Sequence, residues 1–324
     1  MNPGHIAAQE HLVTRDHLEA LLAGLRREVR DPRAGIFGPE SVSWRINRES
    51  ALFLGAGRAA LLQLAHPWVA VAIEQHSQVM NKPIERFHNT FRIVFTTIFG
   101  SAEQALAAAR SLHTLHTGIQ GEIPSDVAGY ERNSHYEANF VPALRWVFAT
   151  LIESAVLAHD FVLSPLTTEE REAYYAEAKR LAALFGIPEE ALPPDWNAFI
   201  SYIDEMCSSN ELGVDELSRK MGHNILDGAG SWIHPPRWYR ALTAEWMPAR
   251  FRDEFALPFG DSQRRSVERA RRWLALSYRS LPHSLRFTGP YHEACARLAK
   301  KPAGPLTRIN NRFWIGESQM PFAE

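Results

Sequence analysis

The sequence predicts an all-α fold: a single large domain of about a dozen helices. Three observations carry the helical part. Long stretches place apolar residues at three- and four-residue steps, the period of one helical face. Capping residues and glycine or proline stops recur at the ends of those stretches. No stretch of any length alternates apolar and polar residues as a half-buried strand does, and no internal repeat is present.

Size and composition set the outer limits. The chain has 324 residues, 45% of them hydrophobic, which is enough for a sizeable core. Lys and Arg number 35 against 37 Asp and Glu, so no basic excess points to nucleic acid and no acidic tail points to disorder. Cys207 and Cys295 are the only cysteines and do not form a CxxC pair. A zinc-thiolate site or a disulfide framework is therefore not expected, and the composition suits a reducing cytosol. The start, MNPGHIAAQEHLVTRDHLEALL, lacks a basic segment followed by an apolar core, so no signal peptide is expected and a cytoplasmic location is. The uncharged run Ala59–Ile73 contains Gln63, His66 and Pro67 and is short for a bilayer, so no transmembrane segment is expected.

The elements follow in order. Residues 16–30 read as an amphipathic helix ending before Asp31-Pro32, and DPRAGIFGPESVSW as a Gly/Pro-rich loop. A helix begins near Trp44 and breaks around Gly55 and Gly57 in LGAGRAALLQLAHP. GAGRAA lacks the third glycine of a dinucleotide loop and follows no strand, so its small residues are read as close helix packing. Pro67 opens a further helix, VAVAIEQHSQVM. Residues 142–163 are strongly apolar and read as a core helix. Thr167 or Thr168 caps a helix stopping at Gly186, and Asp195 starts one over 195–207. Residues 209–236 are polar and Gly-rich, with a long loop near LDGAGSWIHPP. Helices are expected at about 237–257 and 261–280, with one more after Pro290 and then a ragged tail. Residues 1–35 are read as an extension, 36–300 as the domain and 301–324 as the tail.

The stretch Asn81–Gly121 organises the rest. It reads as two helices joined by a tight turn. Ile84, Phe87, Phe91, Val94, Phe95 and Ile98 mark one face of the first, over Pro83–Phe99. Gly100 stops it, and Ser101 with Glu103 and Gln104 reads as an N-cap and capping-box partner for the second. Arg86 and Thr90 are four residues apart on the first helix, with Asn89 beside them; His113 and His116 are three apart on the second. A cation, an amide, a hydroxyl and an imidazole facing each other across a helix pair would make a polar cap over a bound cofactor.

Several segments together resemble the catalytic domain shared by the latex-clearing proteins (rubber oxygenases) and the MpaB-type oxygenases. They are LLQLAHPWVA with EQHS, PIERFHNTFRIVFTTIFGSAEQA, LHTLHTGIQG, YEANFVPALRWVFATLIESA, PLTTEEREAYYAEAKRLAALFGIP and LPHSLRFTGPYHEACARL. The likeness spans roughly residues 36 to 300 and lies in the order and spacing of these segments. It implies an all-helical fold enclosing a haem-sized apolar pocket that holds haem b, and hence iron. It implies His116, in the H-x-x-x-x-G stretch to Gly121, as the proximal metal ligand. It also implies a distal set matching an R-x-x-K-T run, here Arg86, Asn89 and Thr90. Asn89 stands where that run has lysine, so rubber cleavage itself is not implied.

The function expected on this resemblance is a haem-dependent oxygenase acting with dioxygen on a small apolar or isoprenoid-like substrate by cleavage of a C=C bond. Arg86 and Thr90 would stabilise charge on activated oxygen, and Phe87, Ile93, Phe148 and Leu151 would line the pocket. Bland roles stand beside these. His113 competes as ligand, His66 and His76 read as buried, hydrogen-bonded histidines or helix caps, and Phe87, Phe91, Phe95 and Phe99 suit a core. Two other functions stay open: a non-catalytic carrier of haem or a hydrophobic ligand, and a di-iron protein built on Glu85-x-x-His88, for which no second E-x-x-H partner exists. Oligomeric state is left open, a homo-oligomer included.

Overall fold

The structure, a computed structural model, describes residues 11–76, 83–231 and 234–322, and its regular elements are helices apart from one small hairpin. The first half contains α1 (Arg15–Glu28), α2 (Val42–Asn47), α3 (Ala56–Leu64), α4 (Pro67–His76), α5 (Pro83–Phe99) and α6 (Ala102–Thr117). A small antiparallel hairpin follows, β1 (Gln120–Glu122) and β2 (His135–Glu137), with Gly121 opposite Tyr136. Then come α7 (Val141–Val162), α8 (Thr168–Leu184), α9 (Trp196–Ser208) and α10 (Glu216–Asp227). The last third holds α11 (Arg237–Trp246), α12 (Ala249–Glu254), α13 (Asp261–Ser277), α14 (His283–Arg286), α15 (Gly289–Leu298) and α16 (Pro305–Ile315). These make sixteen α-helices among the described residues, so the all-α expectation holds and the expected dozen is an undercount. The expected run of α4 through Met80, the Asn81–Lys82 lead into α5 and the first ten residues lie outside the described residues.

Local chemistry explains most boundaries. Thr14 caps α1, Ser41 caps α2 and Asp195 caps α9, each side chain accepting from a backbone N–H three residues on. Thr167 and Glu170 form a reciprocal capping box on α8. The break near Gly55 is a six-residue 3-10 turn, Ser50–Gly55, leading into α3. A Cβ on Gly55 would sit 2.5 Å from the Ser154 carbonyl, and one on Gly57 would sit 2.7 Å from Thr243 Oγ1. The small residues there let helices approach, as the sequence suggested.

The core helix α7 packs against α3 and the Ser50–Gly55 turn. Its 22 residues are long and apolar enough to cross a bilayer by length and composition, and 61% of its most apolar window is buried inside the fold. Two of its ionisable groups are paired: Glu153 with Arg58 at 2.7 Å, and Asp160 with Arg171 at 2.6 Å. Trp146 Nε1 donates to the Leu62 carbonyl at 2.8 Å, and Trp44 Nε1 to that of Ile98 at 3.0 Å. Both indoles are buried with their one donor satisfied, so each adds area to the core without an orphaned N–H.

Four features depart from the sequence reading. The hairpin strands are three residues each, too short for alternation to register, and Gly121 is there because a Cβ would meet the Tyr136 hydroxyl at 2.8 Å. Helix α10, capped by Asp215, occupies part of the segment read as polar loop. The expected 237–257 helix is divided at Met247-Pro248 into α11 and α12. Residues read as a ragged tail form α16, which packs on α5 and α15.

Candidate functional site

The site is organised by α5 and α6, which pack against each other as an antiparallel pair. Their turn is fixed by Ser101, whose Oγ accepts from Gln104 N at 3.2 Å while Gln104 Oε1 accepts from Ser101 N at 2.9 Å. Arg86 lies fourteen residues before Gly100, and His116 fifteen after Ser101. At the helical rise both stand about 20 Å from the turn, level with one another. Burial changes along the pair. Residues 95–100 are buried and most of 102–109 are too, whereas 84–94 and 110–117 are half-buried or exposed. The far ends therefore leave apolar groups uncovered, Ile93 and Leu112 half-buried and Leu115 exposed at 62%.

The His116 ring is half-buried, and among the described residues neither of its nitrogens finds a hydrogen-bond partner. Its pKa falls from 6.5 to about 4, first through lost hydration, then through His113 and the positive charge of Arg86. The imidazole is thus neutral at physiological pH with its lone pair unclaimed, which is the state a metal ligand requires. His113 is otherwise engaged: its Nε2 bonds the Val13 carbonyl at 2.8 Å, tying α6 to the segment before α1. Arg86 is half-buried, and burial pulls its pKa below the ordinary guanidinium value, though a guanidinium stays charged at any pH in question. Asn89 and Thr90 lie on the same face of α5 as Arg86, and both are exposed.

The structure brings Arg86 and His116 into one electrostatic neighbourhood, with Asn89 and Thr90 alongside on α5. It does not bring Phe148 there: that ring is wholly buried in the main core and lines no open pocket. Phe87 belongs to the aromatic stripe, which turns away from the polar face. Phe87, Phe91 and Phe95 pack around Phe53, with centroids 5.3, 4.6 and 6.2 Å away, and Trp314 of α16 stacks on Phe53 at 4.2 Å. Leu151 is half-buried on α7. A cavity of about 380 Å³ opens elsewhere, lined by Arg45, His159, Glu170 and Arg279 among others and by no residue of α5 or α6.

The remaining histidines have structural surroundings. His66 is buried between Trp68 and Tyr130, and burial lowers its pKa to about 4; among the described residues its Nδ1 has no hydrogen-bond partner, while its carbonyl accepts from Ala70 N at 3.0 Å as α4 begins, the position of a helix cap. His76 bonds the Gln120 carbonyl and the Tyr136 hydroxyl, both at 3.1 Å, and Tyr136 donates to Gln75 at 2.7 Å. This clamp ties the end of α4 to the strand just after His116. Sequence reasoning missed it because the hairpin that delivers Tyr136 was not visible. Glu85 is exposed, whereas the His88 ring bonds the Phe313 carbonyl of α16 at 3.0 Å. Among the described residues no three His, Cys, Asp or Glu side chains gather as a metal-binding group, so the ligand-rich di-iron arrangement is not built here.

Residues 44–276 match the family described as ER-bound oxygenase mpaB/B'/Rubber oxygenase, catalytic domain. An uncharacterized protein of Mycobacterium bovis and one of Mycobacterium tuberculosis are each 27% identical over 236 residues, 69% of this chain and 87% of the relative. No solved structure matches the chain. The family match covers most of the chain and all of α5, α6 and α7, and the chain belongs to the mpaB and rubber oxygenase catalytic-domain family.

Proposed function

We propose that this protein is a haem-dependent oxygenase that uses dioxygen on a small apolar or isoprenoid-like substrate, with His116 as the protein's ligand to the iron. The oxygenase family supports the reaction class. The observation that carries the assignment to His116 is its neutral, partnerless, desolvated ring, level with a half-buried cation on the facing helix. Those residues fit a haem, because a five- or six-coordinate haem iron needs one good imidazole rather than a cluster of ligands.

Haem, when bound, supplies the activation of dioxygen. The chain supplies the surroundings. His116 offers a lone pair that remains unprotonated well below neutral pH. Arg86 holds a fixed positive charge where hydration is poor, so negative charge arising beside it is stabilised more than it would be in water. Thr90 adds a hydroxyl donor on the same face, and Asn89 adds an amide without charge. Ile93, Leu112 and Leu115 supply apolar surface suited to an apolar substrate and to excluding water. A balanced outcome is cleavage of one C=C bond by one dioxygen molecule, an oxygen atom passing to each carbon to give two carbonyls.

The test begins with the absorption spectrum of freshly purified protein. A Soret band that disappears in His116→Ala supports the reading. No haem uptake by the wild type on reconstitution overturns it. Oxygen consumption with an alkene or isoprenoid substrate then separates enzyme from carrier, since bound haem without turnover leaves a haem-binding protein.

A further inference from the structure

Three arginines converge on one opening in the fold. A cavity of about 380 Å³ lies where the loop after α7 meets α2, the start of α8 and the segments that follow α13. Arg45 of α2, His159 of α7, Glu170 of α8, Arg279 of the Tyr278–Ser280 turn and Arg286 of α14 line it. Leu163 and Leu166 of the loop add an apolar wall. No residue of α5 or α6 takes part, so the cavity is separate from the His116 site. Its volume is that of a small-ligand pocket.

The charges there do not cancel. Arg286 is committed to buried Glu49, its Nε and Nη2 donating to the two carboxylate oxygens at 2.7 and 2.8 Å. Arg45 Nη2 lies 2.7 Å from Glu170 Oε1. Those two guanidinia are balanced and held in place by their partners. Arg279 is different. Its Nη2 donates to Ser164 Oγ at 2.8 Å, and among the described residues no carboxylate pairs with it. A guanidinium has five N–H donors and takes a carboxylate by two of them in parallel, so one hydroxyl partner leaves that capacity open.

His159 adds a second polar contact. Its side chain is 9% exposed, and its Nδ1 lies 3.2 Å from Asp160 Oδ1. Asp160 is itself fixed by Arg171 Nη2 at 2.6 Å and by the Leu166 N–H at 3.0 Å. The ring is thereby oriented, and its Nε2 has no hydrogen-bond partner among the described residues.

A cation would be repelled by this lining, and one surplus charge in a small cavity does not suit a polyanion such as nucleic acid. We propose that the cavity binds a small organic anion, its carboxylate held by Arg279 and its short alkyl part resting on Leu163 and Leu166. The proposal does not rest on haem.

The test is isothermal titration calorimetry of the full chain with hexanoate, inorganic phosphate and hexan-1-ol as probes. Hexanoate is expected to bind saturably at one site, and phosphate and hexan-1-ol at least roughly tenfold more weakly, since each lacks one half of the recognition. Arg279→Gln should weaken hexanoate binding at least roughly tenfold, and Arg279→Lys by less, because a lysine keeps the charge without the fork. Arg279 is exposed, so an unchanged melting temperature should accompany the loss. Arg265→Gln, at an exposed arginine that does not line the cavity, should leave binding as it is. No hexanoate binding, equal binding of hexan-1-ol, or an unaltered affinity in Arg279→Gln overturns the proposal. Phosphate bound as tightly as hexanoate overturns the assignment to an organic anion.

Discussion

Arg86 and His116 stand level across the α5–α6 pair, and the charge of the first adds to the burial that holds the second at a pKa of about 4. A cation beside an imidazole opposes its protonation, so Arg86 keeps His116 available as a ligand as well as supplying charge to the space between the helices.

That relationship separates the two histidines of α6. His116→Ala should lower haem occupancy at least roughly tenfold, read from the Soret band and a pyridine haemochrome assay. His113→Ala should leave haem in place and instead cost about 1 kcal/mol of stability, since its ring bonds the Val13 carbonyl. The reverse pattern would move the ligand one turn back along the helix.

Arg86→Gln tests the coupling itself. Removing the cation raises the pKa of His116, so the acid limb of haem binding should move to higher pH, while occupancy at neutral pH stays close to that of the wild type. Oxygen uptake should fall, roughly a hundredfold if the guanidinium stabilises developing charge. An unshifted acid limb removes Arg86 from the electrostatic account, and haem loss already at neutral pH gives it a role in holding the porphyrin.

The α5–α6 pair was legible in the sequence because its signals are local. Gly100, Ser101 and Gln104 declare the turn within five residues, and the Phe stripe declares the buried face. What faces that stripe was not legible. Phe53 and Trp314 lie over two hundred residues apart in sequence and meet only through the path of the chain. The same limit hid the His76–Tyr136 clamp, whose strands offer three residues each. Phe148 reads as pocket lining only through the haem pocket that the resemblance implies, and a hydrophobic residue on a core helix carries no mark that distinguishes lining from core.

Trp314 shows what the unread C-terminal helix contributes. It stacks on Phe53, and α16 further accepts Arg92 Nε at the Ile315 carbonyl at 3.0 Å. Trp314→Ala should cost about 3 kcal/mol in denaturant unfolding. A cost below about 0.5 kcal/mol would mean that α16 is dispensable to the aromatic cluster.

Gly55 gives a steric test of the helix packing under the site. Its added Cβ would lie 2.5 Å from a backbone carbonyl, that of Ser154, which cannot rotate aside. Gly55→Ala should destabilise by about 1–3 kcal/mol. Gly304 is the control: nothing lies within 4 Å of a Cβ there, and its φ of −69° suits any residue. Gly304 is the N-cap of α16, where glycine is preferred to alanine, so Gly304→Ala should cost no more than about 1 kcal/mol and by loss of the cap rather than by a clash.

His66 makes the stability of the fold depend on pH in one direction. Its ring is buried, has no partner at Nδ1 among the described residues, and has a folded pKa of about 4 against 6.5 for an ordinary histidine. Above 6.5 both folded and unfolded chains carry it neutral, so it contributes no pH dependence there. Between 6.5 and 4 the unfolded chain takes up the proton and the folded one resists, so stability falls with falling pH. The loss levels off below about 4 and totals roughly 3 kcal/mol. His116, whose folded pKa also lies at about 4, acts in the same sense over the same window. Urea midpoints of the haem-free protein should accordingly decline through this window, and His66→Leu should flatten the decline without altering it above pH 6.5. A parallel decline in wild type and variant would show that His66 is not the group responsible.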